Sequence, residues 1–95
     1  MVITVLEARL EIARTADVVE AYAQISKQPR PAGLVRSQLV QGLKDPSVWQ
    51  IQTVWESREA LAAMRAGGTP AGVLVFRGAG AEPTLSMFEV VARID

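Results

Sequence analysis

The stretch SVWQIQTVWE, Ser47 to Glu56, constrains the fold more than any other part of the chain, because two chemistries alternate along it. Successive side chains of a strand point to opposite faces of a sheet. Trp49, Ile51, Thr53 and Trp55 therefore share one side, and Gln50, Gln52 and Val54 share the other. The first side needs a packed layer over it; the second is too mixed for a core and too apolar for ordinary wet surface. The same partition runs through three other β-rich stretches. VITVLEARL, Val2 to Leu10, divides into Thr4, Leu6 and Ala8 against Val5, Glu7 and Arg9. LVRSQLVQG, which Gly33 opens, divides into Val35, Ser37 and Leu39 against Leu34, Arg36, Gln38 and Val40. TLSMFEVVARI divides into Phe88, Val90, Ala92 and Ile94 against Leu85, Met87, Glu89, Val91 and Arg93.

Helical signals separate these strands. Thr15 and Asp17 offer helix-start chemistry, and Val18, Tyr22 and Ile25 follow at i, i+4, i+7. That helix must stop before Pro29-Arg30-Pro31. LKDPS, centred on Asp45-Pro46, is a turn that makes strands two and three a hairpin. Ser57 caps REALAAMRA, and Gly67-Gly68 ends it. TPAGVLVFRGAG has strand-like propensity, but Thr69 as cap, Pro70 at the first helical position and Gly78 as stop predict a short helix. The order β-α-β-β-α-(α)-β is the split βαβ of ferredoxin-like folds: an α+β domain over residues 1–95, a four-stranded antiparallel sheet with helices on one face.

The second sheet face mixes large apolar residues with amides and opposite charges, a composition that suits an interface. It predicts a homodimer, sheet against sheet about a two-fold axis, through the face carrying Glu7, Arg9, Arg36, Gln38, Gln52 and Glu89. Glu7, Arg9, Glu89 and Arg93 are expected to pair across strands one and four.

Composition removes several function classes. Ten basic and ten acidic residues cancel, and the eight Arg are scattered, so no nucleic-acid surface is expected. There is no Cys and no His. Disulfides, thiolate nucleophiles and zinc–thiolate sites are excluded, as are the commonest metal ligand and the commonest general base near neutral pH. No metal and no cofactor are expected. Glu7, Arg9 and Glu11 interrupt the apolar N-terminal run, which therefore reads as neither signal peptide nor membrane span; a cytoplasmic protein is the expectation.

Strand three ending TVWESREAL, the hairpin before it and the closing FEVVARI resemble the antibiotic biosynthesis monooxygenase family of dimeric α/β barrels. The resemblance implies a pocket in each subunit between the helices and the helix-facing side of the sheet. It also implies, for many members, oxidation of polycyclic phenols or quinols by molecular oxygen without metal or flavin. In the aromatic-polyketide oxygenases of the family the strand carries Asn-x-x-x-Trp, with a Tyr six residues later. Trp55 matches that Trp, but Ile51 stands at the Asn place and Leu61 at the Tyr place. The haem-degrading branch has a Trp where Ala63 stands and a His near the position of Val73, so haem degradation is rejected.

The expected function is therefore a cofactor-independent monooxygenase acting on a small aromatic or quinol-type molecule. The alternative is a non-catalytic member that binds a hydrophobic molecule or only dimerises. Expected substrate-contacting residues are Trp55, Ile51, Thr53, Tyr22, Leu61, Met64, Phe76 and Phe88, with Leu6 as a further wall. Thr53, the Trp55 N–H, the Tyr22 hydroxyl and a rim Arg, Arg65 or Arg77, are the expected donors. No catalytic base is identifiable. Trp49, at the start of its strand, is expected to be packing.

Overall fold

The computed structural model describes residues 1–95. Four strands form one antiparallel sheet: β1 Val2–Arg9, β2 Leu34–Gln41, β3 Val48–Trp55 and β4 Thr84–Glu89, in the spatial order β2-β3-β1-β4. The helices are α1 Thr15–Ser26, α2 Arg58–Ala66 and α3 Ala71–Gly78, with a 3-10 turn at Ile12–Arg14 leading into α1. This is the expected α+β split βαβ arrangement. The ambiguous Val-Leu-Val-Phe run is helical, because positions 72, 75, 76 and 79 fall at i, i+3, i+4, i+7 and place Val75, Phe76 and Ala79 in the core.

Local chemistry explains the helix ends. Ser57 accepts from the Ala60 N–H at 3.1 Å and starts α2. Two expected caps shift. Thr15 lies inside α1 and donates its hydroxyl to the Ile12 carbonyl, while Pro70 rather than Thr69 precedes the first residue of α3. Gly78 does not stop α3. The stop is Gly80, at φ +78°, where Gly80 N–H reaches the Arg77 carbonyl and Ala81 N–H the Phe76 carbonyl, both at 3.0 Å. That pair of bonds is a Schellman closure, which needs a left-handed residue.

The helix-side core divides in two. The larger part joins Leu6, Ala8, Leu10, Trp49 and Ile51 of the sheet side to Val18, Val75, Phe76 and Ala79 of α1 and α3. A smaller cluster of Val2, Trp55 and Leu61 lies under α2. Trp49 is packing, as expected, and its indole N–H is buried without a partner. The partition of β1 and β3 into faces holds residue for residue: each helix-facing member of the two strands is buried.

The partition of β4 is inverted. Leu85 pairs with Leu6, Met87 with Thr4 and Glu89 with Val2, so these residues share the helix side, and Phe88, opposite Ile3, lies on the open face. The strand also ends at Glu89, five residues short of the expected Ile94. In β2 a bulge between Leu34 and Arg36 turns Leu34 onto the helix side opposite Trp55, whereas Ser37 and Leu39 keep their expected side.

The expected cross-strand charge pairs do not form. Arg9 joins Asp45 at 2.6 Å, Glu89 meets Arg58 at 3.6 Å, Arg93 meets Asp95 at 3.3 Å, and Glu7 accepts from Gln50 at 2.7 Å. Asp45 closes the β2–β3 turn, accepting from the Ser47 N–H and hydroxyl at 3.1 and 2.6 Å. The Ser47 hydroxyl, then Arg9, hold its carboxyl down at about 2. A depressed folded value means the ionised form stabilises the turn above about pH 4 and loses that effect as the pH falls through about 2. Asp45→Asn should therefore lower the melting temperature at pH 6, and the gap to wild type should narrow toward pH 2. A constant gap would mean that the carboxylate charge is irrelevant to the turn.

Candidate functional site

The sheet register builds the floor of a cavity. Thr4 of β1 pairs with Thr53 of β3, and Thr53 pairs with Ser37 of β2, so three hydroxyls occupy one rung across the helix side. The next rung on one side is Leu6, Ile51 and Leu39; on the other it is Val2, Trp55 and Leu34. A polar stripe thus lies between an aliphatic strip and an aromatic one. Short β-branched and serine side chains leave room above that stripe. The cavity over it has a volume of about 470 Å³ and is closed by the end of α1, the 28–31 segment, Met64 of α2 and the first turn of α3.

Hydroxyl geometry decides which donors face the opening. Tyr22 Oη donates to Ser37 Oγ at 2.8 Å, and Thr53 Oγ1 donates to the same oxygen at 3.2 Å. A serine hydroxyl accepts two hydrogen bonds and donates one, so Ser37 retains a proton to direct at a ligand. Trp55 Nε1 donates to Thr4 Oγ1 at 3.2 Å. The expected Trp55 donor is therefore committed inside the protein, and what Trp55 offers a ligand is its ring. Gly72 lets α3 settle over the floor: a Cβ there would lie 2.9 Å from Leu6 Cδ1.

Of the eight expected contact residues, five line this cavity: Trp55, Ile51, Thr53, Tyr22 and Met64, and the expected further wall Leu6 joins them. Three do not. Leu61 packs under Trp55 in the small cluster, and Phe76 is wholly buried in the main core. Phe88 is on the far side of the sheet, where it borders a shallow depression with Val5, Glu7 and Gln50. The expected rim arginines are also elsewhere. Arg77 is engaged with Glu82 through two bonds of 2.9 and 2.8 Å, which holds the Glu82 carboxyl below its ordinary value and raises the guanidinium. Arg65 reaches the Met87 sulfur at 3.6 Å.

Sequence reasoning missed Thr4 and Ser37 as floor residues, and Arg30 at the mouth. The two hydroxyls were on the correct face, but only the register shows that they align with Thr53. No Asp, Glu or His lines the cavity, so it holds no group that is a base at neutral pH. No cluster of three or more His, Cys, Asp or Glu residues is placed to bind a metal.

The family model described as antibiotic biosynthesis monooxygenase matches residues 1–69, which include β1, the hairpin, Trp55 and α2. No curated protein matches the chain. Among solved structures, a candidate antibiotic biosynthesis monooxygenase from Deinococcus radiodurans superimposes with a TM-score of 0.74 at 16% identity, covering 100% of this chain and 97% of that one. A candidate monooxygenase of the same kind from Nitrosomonas europaea gives 0.72 at 18% identity, over 97% and 100% of the two chains. A variant of MhuD with two manganese protoporphyrin IX molecules per active site gives 0.73 at 22% identity, over 100% and 99%. At these identities the likeness is one of fold. This chain has no His to ligate a porphyrin metal.

Proposed function

The chain belongs to the antibiotic biosynthesis monooxygenase family, and from that premise we propose that it is a cofactor-independent monooxygenase for a small aromatic or quinol-type substrate. The observation that carries this reading is the hydroxyl rung Thr4–Thr53–Ser37 beneath an open cavity walled by Trp55, Ile51 and Met64. A flat substrate would lie against the Trp55 ring. Its phenolic or carbonyl oxygen would accept from Ser37, which Tyr22 and Thr53 hold in place. Fixed donors favour the anion over the neutral substrate, and because no lining group can act as base the proton passes to solvent water at the open mouth. The substrate anion then gives an electron to O2, and the radical pair joins as a carbon-bound peroxide anion, which takes a proton from water to become the hydroperoxide. Loss of water leaves a carbonyl. One oxygen atom ends in product and one in water, and the reacting carbon, a CH2 in an anthrone or in the keto form of a phenol, supplies all four electrons as it becomes a carbonyl.

The test is oxygen uptake with a panel of anthrones, naphthols and quinols. Saturable uptake above the uncatalysed rate is expected, and Ser37→Ala should lower kcat by about tenfold to a hundredfold, the worth of one hydrogen bond to a charged oxygen. Trp55→Phe, which keeps an aromatic wall, should chiefly raise KM. Uptake that never exceeds the uncatalysed rate would remove the oxygenase reading. One observation favours the second reading, a ligand-binding member without catalysis: the places of the family's Asn and Tyr are held by Ile51 and Leu61, neither of which can donate a proton. Binding of the same panel without oxygen uptake would establish it.

The reading includes a homodimer through the open sheet face and a cytoplasmic setting. What supports the dimer is a face with Ile3, Val5, Val54 and Phe88 beside a chain of amides. Gln38 donates to Gln52 at 2.7 Å, Gln52 to Gln50 at 2.9 Å and Gln50 to Glu7 at 2.7 Å. The Oε1 atoms of Gln52, Gln50 and Glu7 thus have donors within the sheet, and Gln38 Oε1 and Glu7 Oε2 are the acceptors a second sheet would have to meet. Glu89 is no part of that face, and Arg9 is tied to Asp45. Sedimentation should give twice the chain mass at micromolar concentration; a monomer would refute the dimer.

A further inference from the structure

Arg30 is exposed, yet its surroundings hold it in one place. It stands between Pro29 and Pro31, so the preceding residue has a fixed φ and Arg30 itself is confined to extended backbone. Its Nη2 donates to the carbonyls of Leu34 and Val35 at 3.2 and 2.6 Å. Those acceptors lie at the bulge of β2, a strand whose outer edge has no neighbour in the sheet. A guanidinium has five N–H groups, and this use leaves those on Nε and Nη1 without a partner in the chain. All five ion pairs of the protein lie elsewhere, on Arg9, Arg14, Arg58, Arg77 and Arg93. Arg30, Leu34 and Val35 all line the cavity, and no carboxylate does.

We infer that Arg30 is an anion anchor at the mouth, and that the natural ligand is a flat apolar molecule bearing a carboxylate. The proposal rests on the reading of this cavity as the ligand site, whether or not oxidation follows. A cation fixed on a stiff segment, with unused donors and no internal counter-ion, is preorganised for an incoming anion. The spacing fits. Val35 and Ser37 are two residues apart on β2, about 7 Å along the strand, so a carboxylate at Arg30 and a ring oxygen at Ser37 span a two-ring aromatic. Arg36 also borders the cavity and makes no ion pair, although its register sets it beside Val54 on the opposite face, so Arg36→Gln should leave the preference for the acid whole if Arg30 is the anchor and abolish it if Arg36 is.

The experiment is calorimetric titration with 2-naphthoate and with its neutral isostere 2-naphthamide. In wild type the acid should bind about tenfold more tightly than the amide at low salt, with the gap shrinking as salt is raised. Arg30→Gln should abolish the preference while leaving amide binding unchanged, Arg30→Lys should restore part of it, and Arg58→Gln, which removes an arginine outside the cavity, should keep it whole. Equal binding of acid and amide to wild type would overturn the anchor and leave the cavity standing as an apolar site. A preference that survives in Arg30→Gln would overturn the assignment to Arg30. Failure of both probes to bind would overturn the ligand-site reading and the anchor with it. Circular dichroism melts of the variants separate lost folding from lost recognition, and the amide titration does so independently.

Discussion

Phe76→Ala will remove about 3–5 kcal/mol of stability, the usual range for truncating a buried aromatic that leaves a cavity behind. Phe76 has no exposed surface, and it sits with Val18, Val75 and Trp49 where α1 and α3 meet the sheet. No neighbour can slide into the space without uncoupling those helices. A domain of this size has a total stability of roughly 5–15 kcal/mol, so the loss would bring the protein close to unfolding at room temperature. Each kcal/mol shifts the melting point of a 60–100-residue domain by about 4–8 °C, which makes the effect measurable even if the variant stays folded. Urea titration followed by tryptophan fluorescence gives the number directly. A cost under about 1 kcal/mol would mean that Phe76 faces an open space, as its pattern first suggested, rather than the core. Phe88→Ala is the comparison: this ring is 55% exposed on the far face, so the isolated chain should lose under about 1 kcal/mol, and any large effect should appear in association instead.

That pair of phenylalanines shows where residue order stops carrying information. The face of α3 that turns inward is legible, because Gly72, Val75, Phe76 and Ala79 repeat at helical spacing. Which end of that face meets the cavity and which the core is not, since it depends on where α3 lands on the sheet. The landing site follows from Gly72, whose missing side chain lets the first turn approach Leu6 and Ile51. For β4 the difficulty is different. All six residues of the strand are exposed, so burial imposes no phase on it. Its phase comes from backbone pairing with β1, and the attraction of one aromatic, Phe88, pointed to the wrong face. The buried strands β1 and β3 had no such freedom, and their alternation identified each helix-side residue.

The site divides along the same line. Trp55, Ile51, Thr53, Tyr22 and Met64 were found because a wall of a cavity and a wall of a core have the same apolar pattern, and here both meanings pointed to one place. The same equivalence brought in Leu61 and Phe76 wrongly. Thr4 and Ser37 were visible as the small polar members of an otherwise apolar face, but their alignment with Thr53 is a property of register between strands. Arg30 was hidden for a simpler reason. Pro29 and Pro31 explain themselves as a helix stop, and nothing in a linear pattern shows that the residue between them is turned toward a bulged edge strand.

Gly33→Ala should lower stability by about 2–5 kcal/mol. Two effects add. Gly33 has a φ of +82°, in the left-handed region, where an alanine costs about 1–2 kcal/mol. Its added Cβ would also collide with the Cβ of Ala60 on α2, which is fixed to its helix and cannot rotate away. Gly80→Ala separates the two contributions. Gly80 has nearly the same φ, +78°, but the nearest atom to a new Cβ is Arg14 Nη1, at 4.0 Å. It should therefore lose only the conformational part, about 1–2 kcal/mol. The difference between the two variants measures how tightly α2 is pressed on the start of β2. That contact has consequences for the cavity as well as for the fold. The Gly33 carbonyl accepts from the Glu56 N–H at 2.8 Å, directly after Trp55, so a displaced Gly33 pulls on the residue next to the aromatic wall. A Gly33→Ala protein that remains folded should show altered Trp55 fluorescence, read in a Trp49→Phe background, and weaker binding of flat aromatic probes. Equal losses in the two glycine variants, with no spectral change, would mean that α2 yields freely and that Trp55 is held by Thr4 and Leu61 alone.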